Sequence, residues 1–184
     1  VRDLPCRELR LAGWESPTSV ALRSLALSVG PQIQRRDVSR TGTTFDCLTV
    51  VTARFHRLTA VDLSFCRLIN DSCVAAIVGS AAKSLTALDL SGCNRVTDDA
   101  LGWVAGTVGP ADRVGCKHLL SLRAAQCPTI RDRAMWHLAR GVCKRLRFLD
   151  LSFSAEITDV GLEGLAEGCP RLQVLDLDGC RHIS

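Results

Sequence analysis

The sequence predicts an α/β solenoid in which a strand, a tight turn and a short helix recur along the whole chain. Three observations carry that expectation. Units can be counted from Cys6, Ile33, Leu58, Leu85, Leu119, Leu146 and Leu172, at intervals of 27, 25, 27, 34, 27 and 26 residues. Inside a unit two apolar residues stand two places apart, as Leu88 and Leu90 do, which in an extended strand puts both on one face and Ala87 and Asp89 on the other. Each unit then reaches a residue suited to open a helix, followed by apolar residues at helical spacing. One such unit cannot bury its own apolar face, so neighbouring units must bury it by stacking.

The strands come first. Their inward pairs are Leu9 and Leu11, Arg36 and Val38, Val61 and Leu63, Leu88 and Leu90, Leu122 and Ala124, Leu149 and Leu151, and Leu175 and Leu177. Arg36 stands where a leucine belongs, so residues 1–57 read as two degenerate units or a cap, and residues 58–184 as about five regular units, the last incomplete. The turn follows, with Gly92 and Cys93 as its pattern in the fourth unit and Val96 tucked back under the strand.

Helix starts fall on Thr18, Phe45, Asn70, Thr97, Arg131, Thr158 and Ser184, with Asp at 46, 71, 98, 132 and 159 immediately after. A Thr or Asn oxygen there can accept from an unpaired backbone N–H, and the carboxylate faces the positive end of the helix dipole. Val74, Ile77 and Val78, or Leu162, Leu165 and Ala166, then give one buried stripe. The 34-residue interval holds an insertion at 107–115, TVGPADRVG, whose Gly-Pro and polar centre predict a surface loop. Pro110, Asp112 and Arg113 are its candidate contact residues, because insertions at a fixed edge of a solenoid often carry binding; a neutral insertion is the plainer alternative.

Composition agrees with this architecture. Hydrophobic residues make up 47% of the 184, but aromatics only 4% with no Tyr, so the core must be aliphatic. The formal charge of +4 comes entirely from residues 1–57, with nine Arg against five acids; the remainder has fourteen of each sign. Without basic runs interleaved with aromatics, no nucleic-acid partner is expected. The longest apolar run, Val74 to Val78, is far short of the roughly 20 residues of a membrane span. The chain opens without Met and stops at the cap of an unfinished unit, and is expected to be a piece of a longer protein.

Seven of the ten cysteines keep repeat register. Cys66, Cys93, Cys127 and Cys180 take the turn after the strand, where Trp14, Thr41 and Ser154 stand in other units; Cys116, Cys143 and Cys169 precede the next strand by three residues. Small thiols donating weakly to carbonyls suit a narrow turn. With no leading signal segment, they read as reduced and buried, in an intracellular reducing compartment, the cytoplasm first. Paired CxxC motifs for zinc do not occur, and Cys116 with His118 is the nearest approach to a ligand pair. No Gly-rich phosphate loop, GxSxG or HExxH is found, so no catalytic residue, metal or cofactor is expected.

The stretches LTAVDLSFCRLINDSCVAAIV, LTALDLSGCNRVTDDAL and LRFLDLSFSAEITDVGLEGLAEGCPRLQVLDLDGC resemble the cysteine-containing leucine-rich repeat, close to C-P-x-L-x-x-L-x-L-x-x-C-x-x-I-T-D, of F-box/LRR proteins. The resemblance is strong over residues 56–184. It implies a right-handed horseshoe or arc, with parallel strands on the concave face and helices on the convex one, that binds a client protein. In that family an F-box outside the repeats docks on the Skp1 and cullin core of a ubiquitin ligase. The opening DLPCREL resembles an F-box start but keeps better register as a first repeat, and the aromatic-rich helices of an F-box do not follow it. Members of the same repeat class also serve as scaffold subunits of large ciliary or mitochondrial assemblies, which is the alternative role.

In such an arc the outward strand positions meet the partner. One of them reads Arg10, Asp37, Asp62, Asp89, Arg123, Asp150 and Asp176. Asp62 beside Asp89, and Asp150 beside Asp176, would form an acidic stripe interrupted by Arg123; alternatively, the Asp belongs to the repeat pattern alone. Phe65, Phe148 and Phe153 are expected to be at least partly exposed near the strand ends, in a chain with few aromatics, where they would anchor a partner or pack against flanking loops.

Overall fold

The computed structural model describes residues 7–13, 33–42, 57–110 and 115–184. The features expected at Cys6, Trp14, Thr18, Phe45 and Asp46, and the insertion residues Asp112 and Arg113, lie outside them. Seven short strands form one parallel sheet in chain order: β1 (Glu8–Arg10), β2 (Arg35–Asp37), β3 (Ala60–Asp62), β4 (Ala87–Asp89), β5 (Ser121–Arg123), β6 (Phe148–Asp150) and β7 (Val174–Asp176). Four helices connect the later strands: α1 (Asp71–Ala81), α2 (Asp98–Ala105), α3 (Asp132–Arg140) and α4 (Asp159–Gly168). The result is a leucine-rich-repeat arc with its strands on the concave face. None of the helices among the described residues is long and apolar enough to cross a membrane.

The core is a column of aliphatic side chains, one layer per unit. Leu85, Leu88 and Leu90 are buried in the fourth unit, and Leu146, Leu149 and Leu151 in the sixth. Register is fixed by both neighbours: Leu9, Arg36 and Val61 stand opposite one another on β1, β2 and β3. Arg36 keeps the inward place at 3% exposure, because the backbone ladder on either side holds β2 in position whatever side chain it carries.

The turn thiols bond backward along the column. Sγ of Cys66, Cys93, Cys127 and Cys180 donates to the carbonyl of Val38, Leu63, Leu90 and Leu151 in the preceding unit, at 3.0–3.3 Å. Ser154 takes the same place with a shorter side chain, and its buried Oγ has no hydrogen-bond partner among the described residues. Restoring the longer reach should satisfy that position. Ser154→Cys is expected to raise stability by about 1 kcal/mol, read as a higher urea midpoint with unchanged slope.

The aspartates after the caps do more than oppose the dipole. Asp71 accepts from both the backbone N–H and the hydroxyl of Thr97, and Asp132 does the same for Thr158, at 2.7–2.8 Å. Asp98 accepts from the N–H of Arg131, and Asp159 from Ser184. Each carboxylate thus ties its own helix start to the next one. Thr97 and Thr158 also accept from the N–H two residues on, and Asn70 accepts from the Cys73 N–H, whereas Arg131 makes no side-chain cap bond.

Helix α4 departs from the expected stripe. Ala166 is exposed, and the face against α3 is made by Gly161, Gly164 and Gly168. Leu165 is buried and Leu162 half-buried against the core as their spacing predicts, but no helix packs on the far side of α4 among the described residues, and Ala166 stays open there. At Gly168 an added Cβ would fall on the backbone of Ala139, which cannot swing aside, while at Gly164 it would meet the Trp136 ring at 2.9 Å. Gly168→Ala should therefore lower stability by about 1–3 kcal/mol and Gly164→Ala by less, read by thermal melts of the two variants side by side.

Candidate protein-interaction surface

On the strand face the expected outward row is present, and adjacent strands place Asp37 opposite Asp62 and Asp62 opposite Asp89. Each of these carboxylates has a local task. Oδ1 of Asp37, Asp62, Asp89, Asp150 and Asp176 accepts from the backbone N–H two residues later, at 2.9–3.1 Å, and so turns the chain out of the strand. Their geometry explains the repeat Asp as a turn former and still leaves an acidic row on the open face. Burial pushes the Asp89 carboxyl above its ordinary range, with the Asp62 charge adding to it and Arg123 opposing.

Arg123 interrupts the row as expected. It faces Asp89 at 3.9 Å and lies over the Phe148 ring, 5.0 Å from its centroid. An exposed pair at that distance contributes little stability. Phe148, the first residue of β6, is half-buried under the guanidinium. Small side chains, Ala60, Ala87 and Ser121, floor a shallow cleft of about 260 Å³ between the charged residues of β1 to β5.

A second surface runs along the edge where the strands end. Seven residues there have left-handed backbone: Gly13, Arg40, Phe65, Gly92, Gln126, Phe153 and Gly179, with φ between 55° and 75°. They repeat at the intervals of the units themselves. The N–H of each of the first six donates across to the next unit, for example Phe65 to the Ser91 carbonyl at 2.6 Å and Phe153 to that of Asp178 at 2.7 Å. That ladder fixes the conformation regardless of residue type, and glycine is the residue it suits.

Phe65 and Phe153 hold it nonetheless, 42% and 57% exposed, each ring lying over the glycine of the following unit, Gly92 and Gly179. Arg40 stands over the Phe65 ring at 5.5 Å, and Leu68 beside it is 41% exposed. A cleft of about 780 Å³ opens there, and a shallower one reaches Phe153; the two share Asn94 and Gln126.

The structure therefore splits the sequence-derived candidates. Asp62, Asp89, Arg123, Phe148, Asp150 and Asp176 lie on the strand face, whereas Phe65 and Phe153 lie on the strand-end edge. Pro110 is exposed on the opposite edge, where α2 leads toward β5. The start of the insertion folds back on the helices, with the Thr107 hydroxyl 2.7 Å from His137 Nδ1 and Val108 against Gly102. Arg40, Arg67, Leu68 and Gln126 were not legible as surface partners; the regular Gly at 13, 92 and 179 was the available signal.

Among the described cysteines all are buried except Cys180, which is half-buried. Burial pushes Cys116 up to about 12 and Cys127 to about 11, and raises Cys93 and Cys143 further. His118 Nδ1 lies 3.2 Å from the Arg145 guanidinium, a cation rather than a co-ligand. Among the described residues no three His, Cys, Asp or Glu gather as a metal site would require.

Comparison with known proteins follows the same lines. The family described as Leucine Rich repeat matches residues 81–101 and 142–166. F-box/LRR-repeat protein 4 of Bos taurus is 41% identical over 66 residues, 35% of this chain and 11% of that protein. F-box protein MAX2 of Arabidopsis thaliana is 30% identical over 71 residues, 38% of this chain and 10% of that one, so the match spans about a tenth of either relative. The leucine-rich repeat-containing protein LegL7 of Legionella pneumophila superposes with a TM-score of 0.55 at 16% identity, over 91% of this chain and 54% of that chain, a likeness of fold. With its register, turn thiols and capped helices, the chain has the fold of a leucine-rich-repeat arc, and its repeats are similar to those of F-box/LRR proteins.

Proposed function

We propose that this arc is the client-recognition part of a ubiquitin-ligase adaptor: it binds a protein, performs no chemistry on it, and reaches Skp1 and a cullin through a segment other than these repeats. The observation that carries the binding role is the pair Phe65 and Phe153, bulky side chains held exposed in a backbone conformation that costs them about 1–3 kcal/mol each. Neither is needed for the turn, since glycine serves the same position in three other units. The strand face adds Asp62, Asp89, Asp150 and Asp176 for basic or hydrogen-bonding groups of the client, and Arg123 with Phe148 as a mixed contact. The adaptor role is supported by the F-box relatives. Thiols in repeat register, bonded to carbonyls, fit a reducing compartment such as the cytoplasm.

Native size separation of the endogenous full-length protein, with mass spectrometry of the co-eluting species, tests this reading. Substoichiometric, exchangeable Skp1 and cullin are expected in the peak. A single very large particle of fixed stoichiometry without ligase components would overturn the adaptor role.

A further inference from the structure

We propose that the cleft at the Arg40 end of the strand-end edge docks an acidic protein segment that carries one apolar anchor side chain. The inference deepens the partner-binding reading of that edge and rests on it. Two guanidinium-bearing residues, Arg40 and Arg67, line the cleft, together with the exposed apolar pair Phe65 and Leu68, and no carboxylate is among its lining residues within the described part of the chain. The polar remainder, Thr41, Asn94 and Gln126, is neutral.

The charge sorting is what selects the partner. On the strand face Asp37, Asp62 and Asp89 sit on consecutive strands among Arg10, Arg35 and Arg123, so that face is mixed in charge, while the described lining of this cleft carries two arginines and no carboxylate. A basic segment would be repelled from the cleft. An acidic one would be steered toward it, because complementary potentials set orientation and suppress wrong partners. Arg40 stacked on the Phe65 ring keeps its charge at the rim, and the volume of about 780 Å³ leaves room for a Leu- or Phe-sized anchor between Phe65 and Leu68. Nucleic acid fits less well: toward Phe153 the continuing cleft is lined by Asn94, Gln126, Pro128 and Phe153, with no cation for further phosphates.

The test uses the full chain and two labelled peptides, one with glutamates flanking a single leucine and one with lysines in their place, followed by fluorescence anisotropy. At low salt the glutamate peptide is expected to bind at least tenfold tighter than the lysine peptide. Arg67→Glu, at an exposed position, should remove most of that preference and Arg67→Glu with Arg40→Glu should invert it, with unfolding midpoints near that of the parent. Equal binding of the two peptides would overturn the proposal, as would tighter binding of a single-stranded oligonucleotide of matched charge. If Phe65→Gly abolishes recovery of natural partners while the peptides show no preference, the edge remains a partner surface and its acidic selectivity falls. If the glutamate preference holds but Phe65→Gly changes no natural partner, the docking chemistry stands and the anchor role of Phe65 in the proposed function falls.

Discussion

Raising the pH from 8 to 10 is expected to remove about 5 kcal/mol of stability, far more than a generic alkaline effect on a protein of this size. Cys93, Cys116, Cys127 and Cys143 are buried, and desolvation holds each thiol above its ordinary 9.0, Cys127 at about 11 and Cys116 at about 12. A thiol whose folded value is raised contributes stability that is complete below the unfolded value and is lost as pH climbs toward the folded one. The window therefore opens near pH 9 and extends to about 11 for Cys127 and about 12 for Cys116. In it the unfolded chain releases protons that the folded chain keeps, at about 1.4 kcal/mol per pH unit for each thiol. The chain has no Tyr, so no phenol titrates in the same range to blur the reading. Thermal melts under reducing conditions should show the midpoint falling by roughly 10–20 °C across this interval. Cys127→Ala should lower the starting stability but make the slope shallower, because one of the raised thiols no longer titrates. A flat profile from pH 8 to 10 would mean that the column is open to water.

The column was legible because its cause is local and repeats. Leu88 and Leu90 sit two apart in one unit and Leu149 and Leu151 do so in another, and a pattern copied at a fixed interval reports the strand, its inward face and its neighbour together. The turn thiols were legible for the same reason, down to their donation to a nearby carbonyl. What escaped is what depends on the adjoining unit rather than on the residue. Asp71 and Asp132 read as dipole partners of their own helices, and their bonds to Thr97 and Thr158 appear only when the units are stacked. Ala166 read as buried by spacing, but spacing does not say whether a neighbour covers the face. The left-handed edge is the sharpest instance. Gly13, Gly92 and Gly179 mark it in the sequence, yet Arg40, Phe65, Gln126 and Phe153 at the same place carry no glycine signal, and it is the inter-unit ladder that imposes their conformation.

That edge gives the prediction on which the functional reading turns. Phe65→Gly with Phe153→Gly is expected to leave stability within about 2 kcal/mol of the parent while cutting partner recovery by roughly thirtyfold or more. The near-balance in stability follows from opposed effects at each position. Glycine relieves a left-handed bulky residue, a gain of order 1–3 kcal/mol, but loses about 0.5–1 kcal/mol to the freer unfolded chain and forfeits the packing of the ring on Gly92 or Gly179. The rings are 42% and 57% exposed, so that forfeited packing is only part of what a buried Phe would supply. Binding has no such compensation. An exposed aromatic that closes over a partner commonly contributes 2 kcal/mol or more, which is about thirtyfold in affinity for a single anchor. Quantitative mass spectrometry of the proteins recovered with the parent and with the double variant reads one arm, and urea midpoints read the other. Unchanged recovery at unchanged stability would show that the two phenylalanines serve neither fold nor partner. A collapse of stability would show instead that the rings are part of the turn, and the strained edge would then be architecture rather than a binding surface.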